Sequence, residues 1–388
     1  MANRSPPDPI YVLRGAEAAI NVLKFAPKSA REDGLLLSGS VKGTINLWNL
    51  KTKRTELTLD GHDGHSILAA DFRPCGKVIS HGRDGYVRTW ECSEGRSEVV
   101  SSLPAPFLGF CKFCILSRGC DSHWIALPSS KQSQVNILDL ESKEVLFSLT
   151  PENEKSLGMC MCLSMITNPA TDKPLLVAGY ENGQLVLWDI MTAKVLSTSL
   201  THSESVLCID VDKENLKIVS GSADDKLCVS SITPQCTLSM DKQIGLKNPG
   251  VASVKIRNDC KILATGGWDG RLRIYGWRKF TPLAYLSYHT DTISAVDFLR
   301  TCLTMDSYWL LEEKMPGLVC GLCTMTNKPR AVHSICQVKR RGNSRAKKMA
   351  SCLNDKSLNE QKSRIKMVFK LVHDEKEHSD WFPERSGS

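Results

Sequence analysis

The chain has 388 residues, of which 41% are hydrophobic and 24% charged, and its formal net charge is +8. This is the composition of a soluble globular protein with a large core. No run approaches the ~20 apolar residues of a membrane span, and the opening MANRSPPDPI has no apolar signal core, so no membrane association is expected. The charge is uneven: residues 301–388 hold 16 Lys/Arg against 10 Asp/Glu, and the remainder holds 34 against 32. The body of the chain is nearly neutral, which gives no case for a nucleic-acid partner. The 16 cysteines follow no repeated spacing. They read as reduced, mostly buried thiols, with the cytosol and nucleus as the expected compartments.

Residues 1–9 are expected to be flexible. Residues 8–14, DPIYVLR, are strand-like and precede a pattern that recurs through the next 280 or so positions. The pattern is clearest in Gly61–Trp90, GHDGHSILAADFRPCGKVISHGRDGYVRTW. Two apolar strand-like segments follow Gly61-His62, and Asp84-Gly85 marks a tight hairpin because glycine supplies positive φ. His62, Ser80, Asp84 and Trp90 are spaced to join one buried hydrogen-bond chain, a structural tetrad that satisfies a turn and fixes three inner strands.

Positions equivalent to Trp90 are Trp48, Leu138, Trp188, Ser230 and Tyr275, separated by 42, 48, 50, 42 and 45 residues. An apolar-x-x-apolar-x-apolar start appears seven times. The starts are Ile20/Leu23/Phe25, Ile67/Ala70/Phe72, Leu108/Cys111/Phe113, Cys160/Leu163/Met165, Val206/Ile209/Val211, Val251/Val254/Ile256 and Ile293/Val296/Phe298. A second strand recurs as LLLSGS, VISHG, LLVAGY, KIVSGS and ILATGG. Strand signals at this period, without intervening helical periodicity, resemble the WD-repeat class of β-propeller. The expected fold is therefore all-β: a WD-repeat propeller of the seven-blade type over residues 10–300, its last blade incomplete, followed by a largely irregular tail. Asp84, Asp224 and Asp269 stand six residues before the Trp position, where the other repeats have Lys42, Gln132 and Asn182. The third repeat, roughly 107–140, is the most degenerate. In propellers of this class residues 8–14 would form the outer strand of the last blade and close the ring.

The combination of LRG at Leu13–Gly15, SGS…G…LW at Ser38–Trp48, LDGH at Leu59–His62, SHGRDG…W at Ser80–Trp90, AGYENG…LWD at Ala178–Asp189 and NPG…ILATGGWDGRLRIYGWR at Asn248–Arg278 resembles the guanine nucleotide-binding protein β-subunit-like protein 1 family. The likeness spans about 1–300. It implies a non-enzymatic propeller, without cofactor, that partners the co-chaperones maturing phosphatidylinositol 3-kinase-related kinases and so serves DNA-damage signalling.

Three constellations imitate chemistry. His62, Ser80 and Asp84 have the residue types of a catalytic triad, yet their spacing buries them between strands, and His202, Ser220 and Asp224 nearly repeat the set. Cys111 and Cys114, followed by Cys120 and His123, imitate zinc ligands, but positions three apart on a strand face opposite ways. Cys320, Cys323, His333 and Cys336 form a second such set. No metal is expected at either. The run Val338–Met349, VKRRGNSRAKKM, has the charge of a nuclear-import signal but no aromatics for base stacking.

Residues 301–388 are expected to be a divergent, basic, disordered tail, because the repeat stops after Phe298. A shifted reading frame would explain the change. Met305–Lys328, back-translated with permitted codons and read two nucleotides later, gives GFLLAAGRKDARISVWSLYNDK and then a stop. This is a repeat end whose Trp falls near Gly321, 46 residues after Tyr275. Transcript sequence across codons 298–330 decides the matter.

Three function classes are compatible with these readings: a scaffold acting through protein–protein contacts, a G-protein β-like signalling subunit, and an enzyme using a central channel. The second would need an N-terminal coiled-coil helix for a γ subunit, and the Pro-rich opening has no heptads, so no γ subunit is expected. The third would need convergent polar residues at several inner-strand mouths, and the sequence offers no such assembly.

Overall fold

The computed structural model describes residues 9, 11–27, 34–73, 76–93, 95–105, 109–119, 122–152, 154–299 and a strand at 309–311. Six four-stranded antiparallel sheets follow one another along the chain. Blade one comprises β1 (Ile20–Phe25), β2 (Leu35–Ser40), β3 (Thr44–Asn49) and β4 (Arg54–Asp60); blade two comprises β5 (Ile67–Phe72), β6 (Val78–Gly82), β7 (Tyr86–Ser93) and β8 (Arg96–Pro104). Blade three comprises β9 (Cys114–Ser117), β10 (His123–Pro128), β11 (Val135–Asp139) and β12 (Val145–Leu149). Blade four follows a one-turn helix α1 (Glu154–Leu157) with β13 (Cys160–Thr167), β14 (Pro174–Tyr180), β15 (Gln184–Asp189) and β16 (Lys194–Leu200). Blade five is β17 (Val206–Asp212), β18 (Lys217–Ser222), β19 (Lys226–Ile232) and β20 (Leu238–Gly245). Blade six is β21 (Val251–Ile256), β22 (Ile262–Gly267), β23 (Leu272–Gly276) and β24 (Pro282–Leu286).

The propeller has six blades, which corrects the seven-blade expectation. The seventh repeat start yields only β25 (Val296–Phe298), paired with β26 (Trp309–Leu311) in a two-stranded sheet. The apolar spacing at Ile293–Phe298 specifies an inner strand, but a blade needs three further strands at the repeat spacing, and the described chain provides one short partner. β25 nevertheless packs between β21 and β1, so the inner ring of strands passes through it. Among the described residues of the N-terminal segment Tyr11 makes a bridge, and Leu13 is buried beside Trp48, Ile20 and Ala295.

Each blade is built alike because the same physics recurs. In five blades the inner strand carries a β-bulge near its start, as between Ile20 and Val22, and this brings the apolar residues into the gaps between sheets. A second bulge precedes the Trp position in all six. The second strand carries glycine at Gly39, Gly179, Gly221 and Gly266. A Cβ there would lie 2.6–2.8 Å from Ile67, Cys162 and Val206, Val251 or Ile293, so glycine admits the next blade's β-branched residue. The turn between second and third strands abuts the linker into the next blade. A Cβ on Gly183 (φ +85) would stand 2.2 Å from the His202 carbonyl oxygen.

Blade three departs from the pattern, and its inner strand corrects the sequence expectation. Strand β9 begins at Cys114, where it faces Ala126 and carries no bulge, so the strand lies beyond the expected Leu108–Phe113. His81 occupies the position that is glycine in blades one, four, five and six. Its imidazole is fully buried.

Candidate functional site

The tetrad residues come together in blade two. His62 Nε2 lies 2.7 Å from Ser80 Oγ, and Trp90 Nε1 donates to the same oxygen at 2.7 Å. His62 Nδ1 lies 3.0 Å from Asp84 Oδ1, and Arg88 donates to the other carboxylate oxygen. Burial pushes the His62 imidazole below its ordinary pKa despite the Asp84 carboxylate. Burial would raise Asp84, but hydrogen bonds from Arg88 and His62 outweigh it and hold the carboxyl below the usual range. Ser80 is fully buried and both of its neighbours occupy the hydroxyl, so no substrate reaches it as a nucleophile. The second set is similar: His202 Nδ1 to Asp224 Oδ2 is 2.9 Å and Nε2 to Ser220 Oγ is 2.9 Å, with Ser230 in place of the Trp. Blade one keeps only the Trp48–Ser38 bond at 2.8 Å. In blade six Asn248 and Arg273 both hold Asp269.

Cys111, Cys114 and His123 do not form a metal-holding group. Cys111 lies before β9, fully buried against Cys160, while Cys114 opens the strand and its thiol is pushed up to about 12 by burial. His123 bonds Ser117 at 3.2 Å. Cys120 lies outside the described residues, as do Cys320, Cys323, His333 and Cys336 and the run Val338–Met349. Among the described residues no group of three His, Cys, Asp or Glu could hold a metal ion, and no helix is long and apolar enough to cross a membrane.

The sequence reading missed a polar seam on the inner strands. A charged or polar residue follows the second apolar position of each start, and several of these residues bond the neighbouring blade. Asp210 accepts from the Ile256 backbone N–H (2.7 Å) and pairs with Lys255 (3.0 Å). Lys24 pairs with Asp71 at 3.3 Å. Asp297 accepts from the Phe25 N–H at 2.8 Å, which joins β25 to blade one across 272 residues of sequence. Nearer the strand starts, Cys162 donates to the Val206 carbonyl (3.4 Å) and Cys208 to the Val251 carbonyl (3.3 Å). At the same level Ser253 accepts from the Val296 N–H (3.2 Å), and Asn21 donates to Ser66 (2.9 Å). Burial pushes Asp297 above the ordinary carboxyl range against the pull of Lys24 and Lys255. The signal was present in the sequence: Lys24, Asp71, Asp210, Lys255 and Asp297 share one repeat position. These groups are engaged with one another and with backbone, so the seam locks blades together.

Comparison with known proteins agrees with this geometry. A family model for the WD domain, G-beta repeat, matches residues 7–49, 53–91 and 239–276, over blades one, two and six. A model described as LRRK2 beta propeller matches 111–237, over blades three to five. The chain is 41% identical over 295 residues to the mouse guanine nucleotide-binding protein subunit beta-like protein 1, covering 76% of this chain and 90% of the relative. It is also 27% identical to ASTRA-associated protein 1 of Verticillium alfalfae, covering 79% of this chain and 83% of the relative, and 27% identical to that of Schizosaccharomyces pombe, covering 75% and 93%. The chain belongs to the guanine nucleotide-binding protein subunit beta-like protein 1 family of WD-repeat propellers.

Proposed function

We propose that this chain is a non-enzymatic scaffold that acts through protein–protein contacts in the cytosol and nucleus. Its place is among the co-chaperones that mature phosphatidylinositol 3-kinase-related kinases. The observation that carries the reading is the likeness, over most of both chains, to fungal proteins whose name ties them to ASTRA. The buried chemistry supports it: the His–Ser–Asp set that could serve hydrolysis is sealed between strands and used to hold the fold. A propeller of this kind works by presenting rigid loops, not by transforming a substrate. Affinity purification of the full chain from cells, followed by mass spectrometry, tests the proposal. Recovery of kinase-maturation factors supports it. Recovery of a G-protein γ subunit in their place would overturn it in favour of a β-like signalling subunit.

A further inference from the structure

The turns between second and third strands and the linkers between blades share one end of the ring. Backbone bonds tie them together: Val41 N–H to Ala19, Arg83 N–H to Ser66, Glu181 N–H to Met159, and Trp268 N–H to Gly250. Charge is segregated around this loop face. On the linkers and turns of blades six, one and two, and on the linker into blade three, the exposed basic residues are Arg14, Lys42, Arg83, Lys112 and Lys247. Glu17 and Asp63 are the exposed acids of that sector among the described residues. Among the described side chains, the remaining arc through blades three to five exposes Glu152, Glu154, Glu181, Glu204 and Asp225 against Lys131.

The large exposed aromatic side chains of the loop face fall in the basic sector. Phe110 is 60% exposed, Tyr288 48% and Trp268 46%. Trp268 is a built platform. Its indole is seated on Gly250, where a Cβ would stand 2.2 Å from the ring, and the positive φ of Gly250 permits that approach. The next residue, Asp269, is clamped by Asn248 at 2.9 Å and Arg273 at 2.6 Å. The Trp268 side chain is thus fixed in advance and its outer face is open, the condition under which an aromatic contributes most to binding. At the other end of the sector the Arg83 guanidinium lies 4.6 Å over the Phe110 ring, pairing a cation with an apolar surface.

We infer that the sector running from Trp268 through Lys42 to Arg83 and Phe110 docks an acidic segment of a protein partner, with an apolar side chain of that segment packed on Trp268. This rests on the scaffold reading and gives it a surface and a ligand chemistry. Charge complementarity selects the occupant: a basic segment would be drawn to the acidic arc over blades three to five and repelled here.

The test uses the full chain and two fluorescein-labelled peptides of the type EELFEE and KKLFKK, read by fluorescence anisotropy. EELFEE is expected to bind, more weakly as salt rises from about 50 to about 500 mM. Trp268→Ala, and separately the Lys42→Glu/Arg83→Glu pair, should each weaken it at least tenfold. Glu204→Lys/Asp225→Lys, on the opposite arc, should not weaken it. Unfolding midpoints matching the wild type establish that the variants fold. Absence of EELFEE binding, equal binding of KKLFKK, or indifference to both sets of substitutions overturns the inference. Affinity purification with Trp268→Ala separates the two levels. If the variant keeps every kinase-maturation partner of the wild type, the surface is wrong and the scaffold reading stands. If the wild type recovers none, the scaffold reading falls whatever the peptides do.

Discussion

His81 makes stability depend on mildly acidic pH in a way that can be worked out in advance. The imidazole is fully buried on the second strand of blade two, and neither ring nitrogen makes a hydrogen bond of normal geometry. Burial, reinforced by the nearby His62, lowers its pKa from 6.5 to about 4. In the unfolded chain the same group takes up a proton as pH falls through 6.5. The folded state therefore holds fewer protons between 6.5 and about 4, and stability falls with pH across that window. The full gap is worth ~3 kcal/mol, at ~1.4 kcal/mol per pH unit. Above pH 6.5 the contribution is complete. His62 and His202 are lowered for the same reason and add to the slope, so the informative quantity is a difference. His81→Leu fills a similar volume without a titrating group and should cost about 1 kcal/mol or less at pH 7.5. Urea unfolding followed by tryptophan fluorescence at pH 7.5, 6.5, 5.5 and 4.5 is the assay. The wild type should lose about 1 kcal/mol more than His81→Leu for each unit below 6.5. Parallel profiles for the two proteins would refute the reasoning.

Three further outcomes are expected. Asp297→Leu removes the acceptor for the buried Phe25 N–H and should lower stability by about 1–3 kcal/mol, with earlier proteolysis in blade one than in blade four, measured by limited digestion. Ser80→Ala leaves His62 and Trp90 without their shared oxygen and should cost about 1–3 kcal/mol in urea unfolding. A comparable loss at an exposed serine such as Ser203 would undermine the tetrad argument. Gly221→Val forces side-chain atoms into Val251, 2.6 Å from where its Cβ would sit, and should destabilise by at least about 1–3 kcal/mol by thermal melt, whereas Gly245→Val, with open space around it, should change little.

The parts of this fold that were legible in the sequence were those written locally. Asp84-Gly85 states a turn, His62 and Ser80 lie 18 residues apart as one blade geometry requires, and the repeated apolar starts mark inner strands. The misreadings share a cause, which is that strand pairing is not local. Leu108–Phe113 satisfies the apolar spacing of an inner strand, yet pairing with His123–Pro128 selects Cys114–Ser117. Ile293–Phe298 satisfies it too, but no start can promise the three strands that complete a blade. The seam is not legible from one repeat, because the residue between two apolar positions carries no local signal. Its meaning lies in the neighbouring sheet: Asp210 makes sense only once Ile256 stands beside it.

The seam has a direction. The bonds from Asn21, Cys162, Cys208, Ser253, Asp210 and Asp297 all run from one blade to the next in the same sense around the ring. Duplication or loss of a whole repeat by recombination keeps this handed pattern only if the cut falls at the same place in both copies. Any other cut leaves one forward-reaching side chain with nothing to meet and one backbone group with nothing reaching for it. Repeat number in such a ring can change in whole, in-phase units, while drift within a blade is tolerated where the forward-reaching bonds are kept.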